Sequence, residues 1–197
     1  MVLEGDEYLS SPIDRRPKFH LYQPNIALIS GIAWDHINVF PTYDNYVEQF
    51  EIFIDKITNG GILVYNEDDA EVKRVSEAAT NPIRKLAYST PAYSVSDGVT
   101  LLETPEGPMP IEVFGAHNLN NLAGAKWICQ NMGVDEADFY EAIASFKGAS
   151  KRLEKIAEGK GKVAYKDFAH SPSKVAATTK AVKAQYPDRK LVACLEL

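Results

Sequence analysis

Cysteine is scarce in this chain of 197 residues, with only Cys129 and Cys194 present. Two thiols in apolar stretches make neither a disulfide framework nor a spaced zinc motif, so free, buried thiols in a reducing cytoplasm are expected. Long apolar runs are missing too. No segment approaches the roughly 20 residues that a membrane-spanning helix needs, and no signal-peptide pattern is found. Positive charge is in deficit, with 21 Lys and Arg against 27 Asp and Glu, a net charge of −6. The two signs are mixed along the chain, which gives no electrostatic reason to expect nucleic acid or an anionic membrane as partner. There is no internal repeat. No Gly-x-x-x-x-Gly-Lys-Ser/Thr phosphate loop occurs, so any nucleotide chemistry must do without that cradle inside these residues.

What is present is the composition of a folded protein, 45% hydrophobic and 24% charged, enough for one large domain or one domain with part of another. Pro24–Ser30 reads as a buried strand, residues 43–57 as an amphipathic helix stopped by Asn59-Gly60-Gly61, and residues 62–65 as a second strand. A helix over 68–79 and a strand over 84–88 complete a strand–helix–strand rhythm that predicts a mostly parallel α/β sheet flanked by helices. Three short segments (92–96, 99–104, 109–114), broken by Asp97-Gly98 and Glu106-Gly107-Pro108, predict a small antiparallel sheet. Helices follow over about 118–132 and 135–146. Lys147-Gly148-Ala149-Ser150 is the expected boundary between a first domain, 1–148, and the start of a second α/β, Rossmann-like domain, 149–197. The latter opens with a hairpin around Glu158–Gly161, then a helix from Pro172 to Gln185, then a buried strand over 190–195. The acidic start and the apolar finish over 191–197 both look cut, as in a piece of a longer protein.

Five clusters carry chemistry. Gly115–Ala125 places His117, Asn118 and Asn121 at the front of a helix, with Leu122, Ala125, Cys129 and Met132 expected on its inward face. Asn donates and accepts at once, as a heterocycle edge requires, although capping the helix is the simpler use. Glu4-Gly5-Asp6-Glu7 offers oxygen ligands to a hard cation, or is a solvated acidic turn. Asp35-His36 falls beyond the carboxyl end of the first strand, where open α/β sheets bind ligands. Lys151-Arg152-Leu153-Glu154 brings cations suited to phosphate or ribose, or a charged surface. Asp167-Phe168-Ala169-His170 ends a strand with a carboxylate that is placed to receive ribose hydroxyls.

Taken in order, Glu4–Tyr8, Trp34–His36, Gly115–Asn121, Phe146–Gly148 with Arg152–Glu154, and Asp167–Pro172 resemble the Mur ligase family of ATP-dependent peptidoglycan ligases. The resemblance implies a cytoplasmic enzyme of three domains, with the uridine-binding domain and the phosphate loop preceding these residues. It implies ATP and Mg2+ as cofactors, with Glu4 and His36 as catalytic metal ligands. His117, Asn118 and Asn121 would face adenine, and Arg152, Asp167 and His170 would meet ribose and phosphates. Glu4–Tyr8 and Ile32–Pro41 look closest to members that join a peptide, L-alanyl-γ-D-glutamyl-meso-diaminopimelate, to UDP-N-acetylmuramate. Addition of L-alanine is the alternative, and a non-catalytic nucleotide-binding module is a further one. On this reading the residues given are inactive alone. Gly31 and Ala33 depart from the Asn and carboxylate of many relatives.

Overall fold

The computed structural model describes residues 1–195. These divide into two compact units, Met1–Ser89 and Thr90–Leu197, each treated by itself; the predicted boundary at 147–150 lies inside the second.

In the first unit three strands, β1 (Ile26–Ile29), β2 (Ile62–Asn66) and β3 (Arg84–Tyr88), form a parallel sheet in the order β1-β2-β3. The register sets Ile26 opposite Ile62 and Ile62 opposite Arg84. Central β2 is the most apolar, and its Leu63 and Val64 are fully buried, as a strand paired on both edges requires. The helix α1 (Tyr43–Asp55) starts where the Thr42 hydroxyl accepts from the Asn45 amide at 3.2 Å, a standard N-cap. It turns Val47, Phe50, Phe53 and Ile54 against Phe19, Ile29 and Leu63 in one core. Burying side chains of this size contributes about 1.5–3 kcal/mol each.

Helix α2 (Ala70–Ala78) is capped by Asp69, which accepts from the Glu71 and Val72 amides at 3.0 Å. The other oxygen of Asp69 accepts from the Ile32 amide at 3.1 Å. One carboxylate thereby starts a helix and anchors the loop that leaves β1.

The second unit opens with an antiparallel sheet, β4 (Tyr93–Ser96), β5 (Val99–Thr104) and β6 (Gly107–Ile111). The turn at Asp97-Gly98 has positive φ at both residues, 50° and 76°, the geometry of a tight hairpin. Helices α3 (Ala116–Asn131) and α4 (Glu136–Ala144) bury Leu119, Leu122 and Phe139 with Leu102, Ile111 and Val113. The ribbon β7 (Glu154–Gly159) and β8 (Lys162–Lys166) precedes α5 (Pro172–Gln185), whose first residue is the predicted proline. Leu153, Phe114 and Ala181 make a small core there.

Four expectations are corrected. Residues 190–195 form no strand, and Leu191, Val192 and Leu195 are exposed. An apolar run becomes a strand only beside a pairing partner, and β7 and β8 pair with each other; positions 196 and 197 of that run lie outside the described residues. Cys194 is exposed for the same reason, while Cys129 is partly buried, and both are free. Met132 is 57% exposed because α3 ends before it. On α3 the buried amide is Asn120, which donates to Thr90 Oγ1 at 3.2 Å; Asn118 is half-buried. The helix turns inward along Leu119 and Leu122, and of the expected stripe Ala125 and Cys129 pack partly buried against the same core, so Met132 alone departs from it. Among the described residues, no helix is long and apolar enough to cross a membrane.

Candidate functional site

In the first unit the acidic segment does not stand alone. Residues 6–10 fold back on 16–19, with Leu9 bridged to Pro17 and the Lys18 and Phe19 amides donating to the carbonyls of Tyr8 and Asp6. Asp6 accepts from Lys18 Nζ at 2.6 Å and from the Tyr8 amide at 2.8 Å. The ammonium holds the Asp6 carboxyl below its usual range.

That leaves Glu7, whose Oε1 lies 3.4 Å from Nε2 of His36. The Tyr8 ring meets the His36 imidazole edge-on at 5.0 Å. Glu4 is exposed. The sequence named Glu4 and His36; the structure adds Glu7, a carboxylate of the same cluster, and sets it against the imidazole.

His36 itself is held in an uncommon conformation, φ 55°. Its amide donates to Asp35 Oδ1 at 2.9 Å, and its carbonyl accepts from the amides of Val39 and Phe40. Trp34 Nε1 closes the loop on the Phe40 carbonyl at 3.1 Å. A left-handed, non-glycine residue fixed by its surroundings is the pattern found where a side chain must point one way. Glu7 and His36 supply two ligand atoms, which suits a cation that keeps waters and shares phosphate oxygens, not a closed protein cage. Among the described residues, no set of three or more His, Cys, Asp or Glu side chains is placed to hold a metal.

In the second unit Gly115 starts α3 with φ 89°. Asn118 Nδ2 donates to the Phe114 carbonyl at 2.9 Å, which ties the helix to the chain entering it; no side chain caps the N-terminus of α3, whose N-cap residue is Gly115. His117 and Asn121 stand four apart and Asn118 and Asn121 three apart, which puts all three on one side of the first turns. Asn121 is exposed.

His117 lies within electrostatic reach of Asp167. Burial pushes the imidazole below its ordinary value, and the nearby carboxylate partly opposes that shift. A folded-state value below the unfolded one means that stability is complete above about pH 6.5 and declines as the pH falls from there toward the folded midpoint. An NMR titration is expected to place the His117 midpoint below 6.5, and Asp167→Asn to lower it further. A midpoint that stays unchanged in the variant would show that Asp167 does not act on the ring.

Asp167 also organises the unit. Its Oδ2 accepts from the Leu153 amide at 2.8 Å, and its Oδ1 from the Ala169 amide at 2.7 Å and Thr178 Oγ1 at 3.3 Å. Three of roughly four acceptor positions are therefore used, which ties the start of β7 to α5 and leaves room for about one ligand hydroxyl. Arg152 lies over the Phe168 ring at 5.8 Å, and the His170 ring meets the same phenyl at 5.1 Å. His170 Nδ1 is 2.9 Å from the Phe168 carbonyl. Phe168 is 58% exposed, and its role as the centre of this trio was not read from the sequence. The in–out alternation of β8, continued two residues beyond its end at Lys166, is the signal that Phe168 points outward.

The description "Mur ligase middle domain" matches residues 7–129. A UDP-N-acetylmuramate–L-alanine ligase of Roseiflexus sp. strain RS-1 is 28% identical over all of this chain and 46% of its own length. The UDP-N-acetylmuramate–L-alanyl-γ-D-glutamyl-meso-2,6-diaminoheptandioate ligase of Escherichia coli K12 is 28% identical over 99% of this chain and 45% of its own length. The chain thus spans less than half the length of these relatives. The crystal structure of a murein peptide ligase from Psychrobacter arcticus 273-4 superposes with a TM-score of 0.62 at 23% identity, over 94% of this chain and 40% of that one, a likeness of fold.

Proposed function

We propose, from the premise that this chain belongs to the Mur ligase middle-domain family, that the whole protein is an ATP-dependent, amide-forming ligase of peptidoglycan recycling or biosynthesis. It works in the cytoplasm and joins L-alanyl-γ-D-glutamyl-meso-diaminopimelate to UDP-N-acetylmuramate. Residues 1–148 belong to its central ATPase domain and 149–197 begin its C-terminal ligase domain; the chain by itself is inactive. The observation that carries this reading is the Glu7–His36 pair, 3.4 Å apart, on a loop that leaves the carboxyl end of β1.

The chemistry follows from the substrate. A carboxylate is a poor acyl donor, so the γ-phosphoryl group of ATP is first transferred to it, and the amine of the peptide then displaces phosphate from the acyl phosphate. A magnesium ion, when bound, neutralises charge on the transferring phosphoryl group. Glu7 and His36 would hold it, with Glu4 of the same acidic segment. His117, Asn118 and Asn121 orient the purine through one helix face. Arg152 presents a guanidinium fork to phosphate oxygens, Asp167 accepts from a ribose hydroxyl, and His170 lies beside them.

The names of several relatives favour a second reading, in which L-alanine is the amine. The two are separated by assaying the full-length protein with UDP-N-acetylmuramate and ATP against each amine. The tripeptide is expected to give a kcat/KM at least about 100-fold above that of L-alanine, a difference of about 3 kcal/mol in transition-state binding. A preference for L-alanine would establish the second reading instead.

A further inference from the structure

In a chain of net charge −6, one cleft of the first unit reverses the local sign. It has a volume of about 490 Å³ and is lined by Arg15, Arg16, His20, Gln49, Ile52 and Lys56. No carboxylate lines it, and neither Glu7 nor His36 belongs to it.

The three cations are not equivalent. Arg16 is matched by Asp14 through two hydrogen bonds, Nε at 2.9 Å and Nη2 at 2.7 Å, and this guanidinium lowers the Asp14 carboxyl to about 2. Among the described residues, the side chains of Arg15 and Lys56 form no hydrogen bond or ion pair. Lys56 follows the last turn of α1, where a cation complements the helix dipole for about 0.3–1 kcal/mol. That accounts for Lys56 alone and not for Arg15 on a different segment.

His20 is 9% exposed, and its Nε2 is 2.8 Å from the Gln49 carbonyl. A carbonyl only accepts, so Nε2 carries the proton. Burial first, and then Lys56 and Arg16, hold the imidazole below its ordinary value, so it is neutral and keeps Nδ1 as an acceptor. Ile52 and the Pro17 ring supply an apolar lining between the charged groups.

We infer that this cleft is a binding site for an oxyanion carried on a short aliphatic stem, namely a side-chain or terminal carboxylate of an acidic peptide, with Arg15 and Lys56 meeting the carboxylate and Ile52 and Pro17 the stem. The two unmatched cations select negative charge, and a carboxylate completes the counter-charge that the fold withholds. The apolar lining separates a carboxylate on a stem from a bare phosphate. The cleft keeps this character whether or not the whole protein is a ligase.

The test is a titration of the 197-residue chain, followed by the NMR signals of Arg15, His20 and Lys56. The probes are L-alanyl-γ-D-glutamyl-meso-diaminopimelate, the same peptide with its carboxylates amidated, and inorganic phosphate. The acidic peptide is expected to shift all three residues, to bind more weakly as salt rises, and to lose about tenfold or more in affinity in Arg15→Gln/Lys56→Gln. Arg15→Lys keeps the charge and is expected to retain binding, and thermal melting of each variant checks that it folds. Equal affinity in the double variant overturns the inference. So does an unchanged spectrum with the acidic peptide at about 10 mM, well above a millimolar dissociation constant. Phosphate or the amidated peptide binding as tightly as the acidic peptide overturns the assignment of the ligand class.

Discussion

Glu7→Gln in the full-length protein is expected to lower the rate of ATP-dependent amide formation at limiting magnesium by about 100-fold or more, the scale on which losing one preorganised electrostatic group acts. Gln keeps the size of the side chain and removes its charge, so the change isolates what the carboxylate does beside His36. Stability should barely move. Both partners of the pair are about one-third exposed, 34% for His36 and 27% for Glu7, and such pairs contribute about 0–1 kcal/mol to folding. Activity and stability therefore separate, and excess magnesium is expected to recover part of the rate. A variant with full activity at limiting magnesium would remove Glu7 from the site. A variant that loses activity only because its melting temperature has collapsed would make the pair structural.

The second large effect is on the fold. Gly115→Ala is expected to destabilise the chain by about 3 kcal/mol or more, read as a fall in the urea midpoint. Gly115 adopts φ 89° and ψ 140°, a region that residues with a Cβ avoid. A Cβ built there would stand 2.5 Å from the Cβ of Ala181 on α5, a distance that forces the start of α3 and α5 apart. Gly133→Ala is the control. Its φ is 93°, with nothing within 4 Å of a built Cβ, so it carries the backbone strain of about 1–2 kcal/mol without the collision. Equal losses in the two variants would show that the approach of Ala181 does not matter. The position bears on function too, because the helix that Gly115 starts carries His117, Asn118 and Asn121.

The sheet was legible because β1 and β2 are short apolar runs between turn residues and β3 follows at strand–helix–strand spacing, and Thr42 and Asp69 mark their helices as caps do. The 84–88 strand, the Asp97-Gly98 hairpin and the 172–185 helix appear where local chemistry puts them. The failures share a cause. Residues 190–195 are apolar enough for a strand, but pairing is a property of neighbours, which a sequence pattern does not display. On α3 the apolar stripe Leu122, Ala125 and Cys129 is legible and packs on the core, whereas Met132 lies past the end of the helix and the buried amide is Asn120, because the small residues and interleaved amides leave the edge of the inward face undefined.

The site was legible as segments and less so as pairs. The acidic cluster and the Asp35-His36 loop stood out by composition. That Glu7 is the carboxylate facing the ring depends on the fold-back of residues 6–10 on 16–19, a non-local event. Asp167 stood out by its place at the end of a strand, yet two backbone amides and a hydroxyl claim its oxygens. The basic cleft is not legible as a motif because the Arg15-Arg16 pair and Lys56 lie about 40 residues apart in sequence, and only packing brings them around one cavity.

In the proposed reaction a carboxylate is activated by phosphorylation before the amide forms. The direct measurement uses full-length protein, ATP, the tripeptide and UDP-N-acetylmuramate labelled with 18O in its carboxylate. One labelled oxygen is predicted to appear in inorganic phosphate for each amide formed, since that oxygen bridges carbon and phosphorus in the acyl phosphate. Amide formation with unlabelled phosphate, or label recovered in AMP, would contradict it.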